Sequence, residues 1–283
     1  MARLKYGATT ESLVQRKEAK GVLPRSIAVT SGKGGVGKTN IALMLSMALS
    51  SLNKKVLLFD ADLGLANVHI LLGLSPRFNL SHVANEACSA RDTICKGPLG
   101  IDIVPGSSGI RQMANMDSMA LGILHRKLNE LEQEYDFIVI DTGAGIGAST
   151  TEFIHFSDAV MLVMTPEPAS LADAYAMIKV LYEQRSSDIK VIVNMSNSDR
   201  EGEEAFLKLG SIAKKFLNRS VVLSGILPYD KAVPQLIRKQ QILFLKKPKQ
   251  LMSCRIKSIA RSLCSVPSRG EEGFFGRLFG KNS

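Results

Sequence analysis

The chain has 283 residues, 45% of them apolar, with four cysteines and a formal net charge of +10. That is enough chain to bury one substantial core, and no apolar run approaches the roughly 18 residues of a membrane span. The opening Met1-Ala-Arg-Leu-Lys5 lacks the apolar stretch of a secretory leader, which makes a cytoplasmic protein the expectation, and Cys88, Cys95, Cys254 and Cys264 show neither C-x-x-C nor metal-ligand spacing, so they read as reduced packing residues.

Residues 1–24 are polar and close on Pro24, an N-terminal arm with a short helical stretch at Thr10–Lys20. A strand is predicted at Arg25–Thr30 and a helix at Asn40–Leu52, where Ile41, Leu45, Ala48, Leu49 and Leu52 recur at helical spacing. Between them lies Ser31-Gly-Lys-Gly-Gly-Val-Gly-Lys-Thr39, which matches G-x-x-x-x-G-K-[ST] at Gly32, Gly37, Lys38 and Thr39. Glycines at 32, 34, 35 and 37 let successive backbone N–H groups turn inward on phosphate oxygens. The cradle spans Gly32 to Asn40 through Val36, and the helix that follows adds its positive dipole end. Lys38 is placed to reach the β- and γ-phosphates of ATP, and the Thr39 hydroxyl to ligate the bridging Mg2+. Lys33 is surplus to this cradle and is free to serve the phosphates of a partner subunit.

The next strand, Lys55–Asp60, is a continuous apolar run ending in a carboxylate, as expected for a strand buried on both faces. It delivers Asp60 and Asp62 to the carboxyl edge of the sheet. Asp62 is suited to orient the attacking water, and Asp60 to hold the loop or join the magnesium shell. Residues 74–116 form an excursion with a helix at Ser81–Ala87, a strand at Ile101–Val104 and a plain turn at Pro105–Gly109. A helix over Asp117–Glu134, with Leu121, Leu124, Leu128 and Leu131 on one face, leads into the strand Tyr135–Asp141 and the glycine turn Gly143-Ala-Gly145. Asp141 fits the second magnesium-shell carboxylate of P-loop enzymes.

Three further strand–helix units follow: Ala159–Thr165 with Ser170–Gln184, Ile189–Asn194 with Glu203–Leu217, and Val221–Leu227. The alternation predicts a doubly wound, mostly parallel α/β sheet flanked by helices, a P-loop NTPase in one domain with a basic tail. Asn194 and the loop Pro228-Tyr229-Asp230 reach the same edge as the cradle, and an amide offers the donor and acceptor that an adenine edge requires.

The charge is unevenly placed. Twelve of the 36 Lys/Arg and two of the 26 Asp/Glu lie in residues 231–283, so residues 1–230 hold 24 of each. An acidic surface is therefore the partner to look for at the C-terminal segment. In the stretch 271–283, Phe274, Phe275, Leu278 and Phe279 fall within an arc of roughly 140° on a helix, flanked by Arg277 and Lys281, a composition that suits an anionic membrane interface. The alternative seat for such a stripe is the protein's own core or a partner.

Lys33-Gly-Gly-Val-Gly-Lys38-Thr39 resembles the deviant P-loop of the MinD/ParA family of ATPases. Asp62–Gly73, Val104–Ile110, Asp141–Gly145 and Pro166–Ala176 are similar to the flagellar number and placement regulators of that family, the FlhG/FleN type. The resemblance implies a homodimer in the ATP state, with Lys33 crossing the interface to the other subunit's nucleotide. It implies slow, Mg-dependent ATP hydrolysis in which Asp62, on switch I, is required. It also implies an adenine pocket built from Asn194 and Pro228–Asp230. The family's switch II carries a proline where this chain has Gly143, a departure shared with the flagellar branch. The expected role is control of flagellar number and placement, with MinD-type division-site selection or ParA-type cargo positioning as the alternative. The tail resembles the membrane-targeting helix of MinD, which places the ATP form on the inner face of the cell membrane. Partners implied are the signal-recognition-type GTPase FlhF or a flagellar transcription regulator, with no specific nucleic acid. Residues 1–24 show no clear copy of the Asp-Gln-Ala…Leu-Arg element through which that branch engages FlhF. The organisation expected is thus an arm (1–24), an ATPase domain (25–245), a basic helical segment with linker (246–270) and a membrane-targeting helix (271–283).

Overall fold

Continuous apolar runs that alternate with amphipathic helices leave a chain one economical solution, a parallel sheet covered on both faces. In the computed structural model, which describes residues 25–62, 68–106, 118–184, 189–265 and 272–279, eight strands take the order β3-β4-β2-β5-β1-β6-β7-β8. They are β1 Arg25–Ser31, β2 Val56–Ala61, β3 Cys95–Lys96, β4 Asp102–Val104, β5 Phe137–Ala144, β6 Ala159–Met164, β7 Ile189–Ser196 and β8 Val222–Pro228. Every neighbouring pair is parallel except β3 with β4. The N-terminal arm, the loop 63–67, most of Pro105–Gly109 and the linker before the last helix lie outside the described residues.

Successive strand residues face opposite layers. Ile27 and Val29 of β1 and Leu58 of β2 join one buried cluster, while Ala28, Leu57 and Phe59 join those on the other side. The first face is covered by α1 (Lys38–Ser50) and, later in the chain, by α8 (Ala232–Arg238), α9 (Leu243–Lys246) and α10 (Leu251–Leu263). Two short helices, α2 (Val68–Leu71) and α3 (Leu80–Ala84), belong to the excursion after β2. The second face is covered by α4 (Ser118–Glu132), α5 (Ala148–Phe156), α6 (Pro168–Gln184), α7 (Asp199–Leu217) and the terminal α11 (Phe274–Phe279).

Helix α5 is absent from the sequence reading. Its start, Gly147, offers no side-chain cap, and its opening Ala-Ser-Thr-Thr carries no apolar period, so only burial of Phe153, Ile154 and Phe156 defines it. All four cysteines are free thiols, and Cys254 is exposed where packing was expected.

The tail gives the larger correction. The stripe expected to face a membrane is here seated on the sheet: Phe274 and Phe275 are fully buried, Leu278 nearly so, and Phe275 meets Phe59 of β2 edge-on at 5.3 Å between centroids. Polar anchors fix this seat. Glu132, at the end of α4, accepts the backbone N–H of Phe275 at 2.9 Å. Arg277 donates to Asp158 at 3.0 Å, to Ser26 Oγ at 3.2 Å and to the Phe156 carbonyl at 3.1 Å. The apolar arc that suits lipid suits a core equally well, and here the core takes it.

Candidate nucleotide-binding site

Because β1, β2, β5, β6, β7 and β8 are parallel, their carboxyl ends share one edge, and β1 lies at the centre of the crevice where open α/β sheets hold ligands. The loop leaving β1 turns through Gly35 and Gly37, both left-handed with φ of 82° and 89°, a conformation closed to side chains at low cost. Gly37 caps α1. A Cβ at Gly32 would lie 2.2 Å from the Asp173 carbonyl, whereas Gly34 and Gly35 face open space. One end of the cradle is thus pinned to α6 and the middle is left accessible to a polyphosphate.

Lys38 is buried, with its Nζ 2.9 Å from Asp141 Oδ1. The Thr39 side chain beside it favours the ionised Asp141 carboxylate, while Asp141 Oδ2 is buried with no partner. Burial pushes the Asp141 carboxyl above the usual carboxylate range, opposed by Lys38 and Thr39. Sheet register sets Asp60 directly beside Asp141. The two oxygens of Asp60 accept the backbone N–H groups of Asp62 and Val68, each at 3.2 Å, so Asp60 braces the backbone at both residues. Burial first, then the Asp141 charge, raise its carboxyl to about 7.

Three carboxylates around one ammonium leave the pocket short of positive charge. An orphaned carboxylate oxygen beside a threonine hydroxyl is a fitting oxygen donor set for Mg2+, which takes one or two protein ligands and completes its octahedron with phosphates and water. Among the described residues no group of three or more His, Cys, Asp and Glu side chains is placed to hold a metal ion.

A Cβ on Gly143 would meet Thr150 Oγ1 at 3.1 Å, a tight approach, and Asp62 Oδ1 at 3.7 Å, an ordinary contact. The glycine in the proline position therefore gives room to Thr150 of α5, and the Asp62 carboxylate lies beside it. Lys33 points elsewhere than Lys38: half-exposed at the rim, its Nζ sits 3.4 Å from Glu167, just beyond β6. Asn194 is buried, donates to the Val36 carbonyl at 2.8 Å and keeps its Oδ1 unpartnered. It thereby braces the cradle and still offers an acceptor to a base amine. Next to it a cleft of about 440 Å3 is lined by Thr165, Glu167, Met195, Asn197, Glu201 and Tyr229. Tyr229 is exposed, and the Asp230 carboxylate is spent on the Ala232 N–H and the Gln250 side chain, so the loop offers a ring and backbone to a ligand more than a charge.

The sequence reading missed Glu167, Met195 and Glu201. Pro166-Glu-Pro168 immediately after a strand was the available signal for the first. Met195, held at φ 58°, and Glu201, which accepts the Asn197 N–H at 2.6 Å, show only in the fold.

Such a site on such a sheet defines a P-loop nucleotide-binding protein. A family model described as an AAA domain matches residues 24–192. The antiactivator FleN of Pseudomonas aeruginosa is 39% identical over 254 residues, covering 88% of this chain and 91% of that protein. The flagellum site-determining protein YlxH of Helicobacter pylori is 34% identical, covering 89% and 88%. Among solved structures, the septum site-determining protein MinD of Pyrococcus horikoshii, complexed with Mg-ADP, superimposes with a TM-score of 0.70 at 25% identity, covering 86% of this chain and 97% of that one. The chain belongs to the MinD/ParA family of P-loop ATPases, in its FleN/FlhG-type branch.

Proposed function

We propose that this protein is an ATP-hydrolysing, dimerising switch that controls flagellar number and placement and associates with the membrane in its ATP form. The observation that carries the switch is the division of labour between two lysines. Lys38 is buried inside its own cradle, whereas Lys33 stands at the rim, where its Nζ meets the exposed Glu167. An exposed pair of this kind is worth little, so Lys33 is readily given up to a second nucleotide facing it across a dimer axis. Asp62 would orient the attacking water, Thr39 and Asp141 would hold Mg2+, and Asn194 with the Pro228–Asp230 loop would receive the adenine. Bound Mg2+ would neutralise charge building on the transferred phosphoryl group.

The flagellar assignment is supported by the name of the Helicobacter pylori relative. The antiactivator name of the Pseudomonas aeruginosa relative favours a transcription regulator as partner. For the membrane step, α11 has two seats, the core groove described here and a lipid surface, and formation of the ATP dimer shifts it to the second. Two weak helices acting together then bind by avidity.

Sedimentation velocity with ATP and Mg2+ tests the switch. The wild type should dimerise, and Lys33→Ala should bind ATP yet stay monomeric. Dimers of the Lys33 variant with unchanged turnover would overturn this reading.

A further inference from the structure

The basic excess of residues 231–283 does not reside in the terminal helix alone. From Lys231 to Leu263 the sequence has nine Lys/Arg and no acid. Of these, Arg255 is committed to Asp199 and the Ile226 carbonyl, and Lys257 lies over the Phe244 ring at 5.2 Å. Lys246, Lys247 and Lys249 are exposed and make no ion pair among the described residues. Lys246 closes α9, and Lys247 and Lys249 sit on the turn that joins it to α10. That turn is well built: Lys247 N–H donates to the Leu243 carbonyl at 2.8 Å, Gln250 N–H to the Lys247 carbonyl at 3.1 Å, and Ser253 Oγ to the Lys247 carbonyl at 2.9 Å. Two leucines bracket the lysines, Leu245 at 37% and Leu251 at 53% exposure.

We propose that the turn Leu245-Lys-Lys-Pro-Lys-Gln-Leu251 is a second membrane contact that takes an anionic lipid surface. The inference rests on the membrane association proposed above. Like-signed charges with no acid among them require a polyanion, and two flanking leucines distinguish lipid from nucleic acid, whose phosphate track has no use for them. A single short amphipathic helix is a marginal anchor, and stable attachment takes two signals. Helix α10 packs against α1, on the sheet face opposite the seat of α11, so the turn is accessible whether or not α11 leaves its groove.

The test uses the full chain with ATP and Mg2+, co-sedimented with vesicles of phosphatidylcholine alone or mixed with phosphatidylglycerol. The triple variant K246Q/K247Q/K249Q should weaken binding to the anionic vesicles by about a hundredfold, roughly fivefold per lysine, with nucleotide binding and melting temperature unchanged. Leu245→Ser with Leu251→Ser should weaken it severalfold, and the wild type should ignore phosphatidylcholine alone. Phe279→Ser tests the helix separately. If Phe279→Ser abolishes binding while the lysine variant equals wild type, this inference falls and the α11 reading stands; the reverse pattern supports the turn and removes α11. Lysine-dependent retention of duplex DNA with vesicle binding unaffected would also overturn the proposal. A wild type that ignores both kinds of vesicle sinks both readings.

Discussion

Lys38 and Asp141 lie 103 residues apart in sequence and hold each other at 2.9 Å inside the protein, so the cation proposed to grip phosphate and the carboxylate proposed to hold Mg2+ form one electrostatic unit. Removing the cation leaves a buried, uncompensated acid. Lys38→Gln is therefore expected to lose ATP binding and also to cost about 3 kcal/mol of stability, read by fluorescent-nucleotide titration and denaturant melts. Asp62 is a different case, since its carboxylate lies beside Gly143 at the end of β5. Asp62→Ala should bind ATP normally, accumulate dimer and release phosphate about a hundredfold more slowly, because positioning carries much of phosphoryl-transfer catalysis. Normal turnover in that variant would assign the water to another residue.

At the scale of elements, α11 is held as much by one absent side chain as by its own stripe. A Cβ at Gly273 would fall 1.4 Å from Glu132 Oε1, so Gly273→Ala must push the carboxylate off the N-terminus of α11. That variant should show a lower melting temperature, faster proteolysis between α10 and α11 and vesicle binding that no longer requires ATP; an unchanged cleavage pattern would refute the control assigned to this contact. The strands and the residues at their carboxyl ends were legible because a buried parallel strand is a continuous apolar run and parallel pairing sends each terminus to one edge. Asp60, Asp141 and Asn194 followed from that rule alone. The seat of α11 was not legible: an apolar arc carries no label for core or lipid, and its anchors Ser26, Glu132, Asp158 and Arg277 come from four separate segments. Helix α5 escaped for the same reason, being defined by what it packs against. The bracing of Asp62 and Val68 by Asp60 rests on two backbone N–H groups that no spacing in the sequence foretells.

For the whole molecule, buried acids set how stability answers to pH. Burial raises Asp60 from 3.8 and Glu132 from 4.5, each to about 7, and Asp141 is raised as well. Such a group holds its proton in the folded chain and loses it in the unfolded one across that interval, so its stabilising contribution is complete below the unfolded value and is lost as pH rises to the folded value, at about 1.4 kcal/mol per pH unit. Exposed Asp92, Asp199 and Glu201 are shifted the other way, and their contribution changes only below their ordinary values near pH 4. Between pH 5 and 7 the buried acids therefore act on stability without a contribution from these three, and their share of the melting temperature should fall across that window. Glu132→Gln identifies the share belonging to the tail, because the amide keeps an acceptor for the Phe275 N–H and carries no charge at any pH. The variant should match wild type near pH 5 and exceed it above pH 7, where Glu132 is ionised within its groove between Asp158 and Arg277. The opposite order above pH 7 would mean that the negative charge itself holds α11 through Arg277, and release of the tail would then be favoured by acid rather than by base.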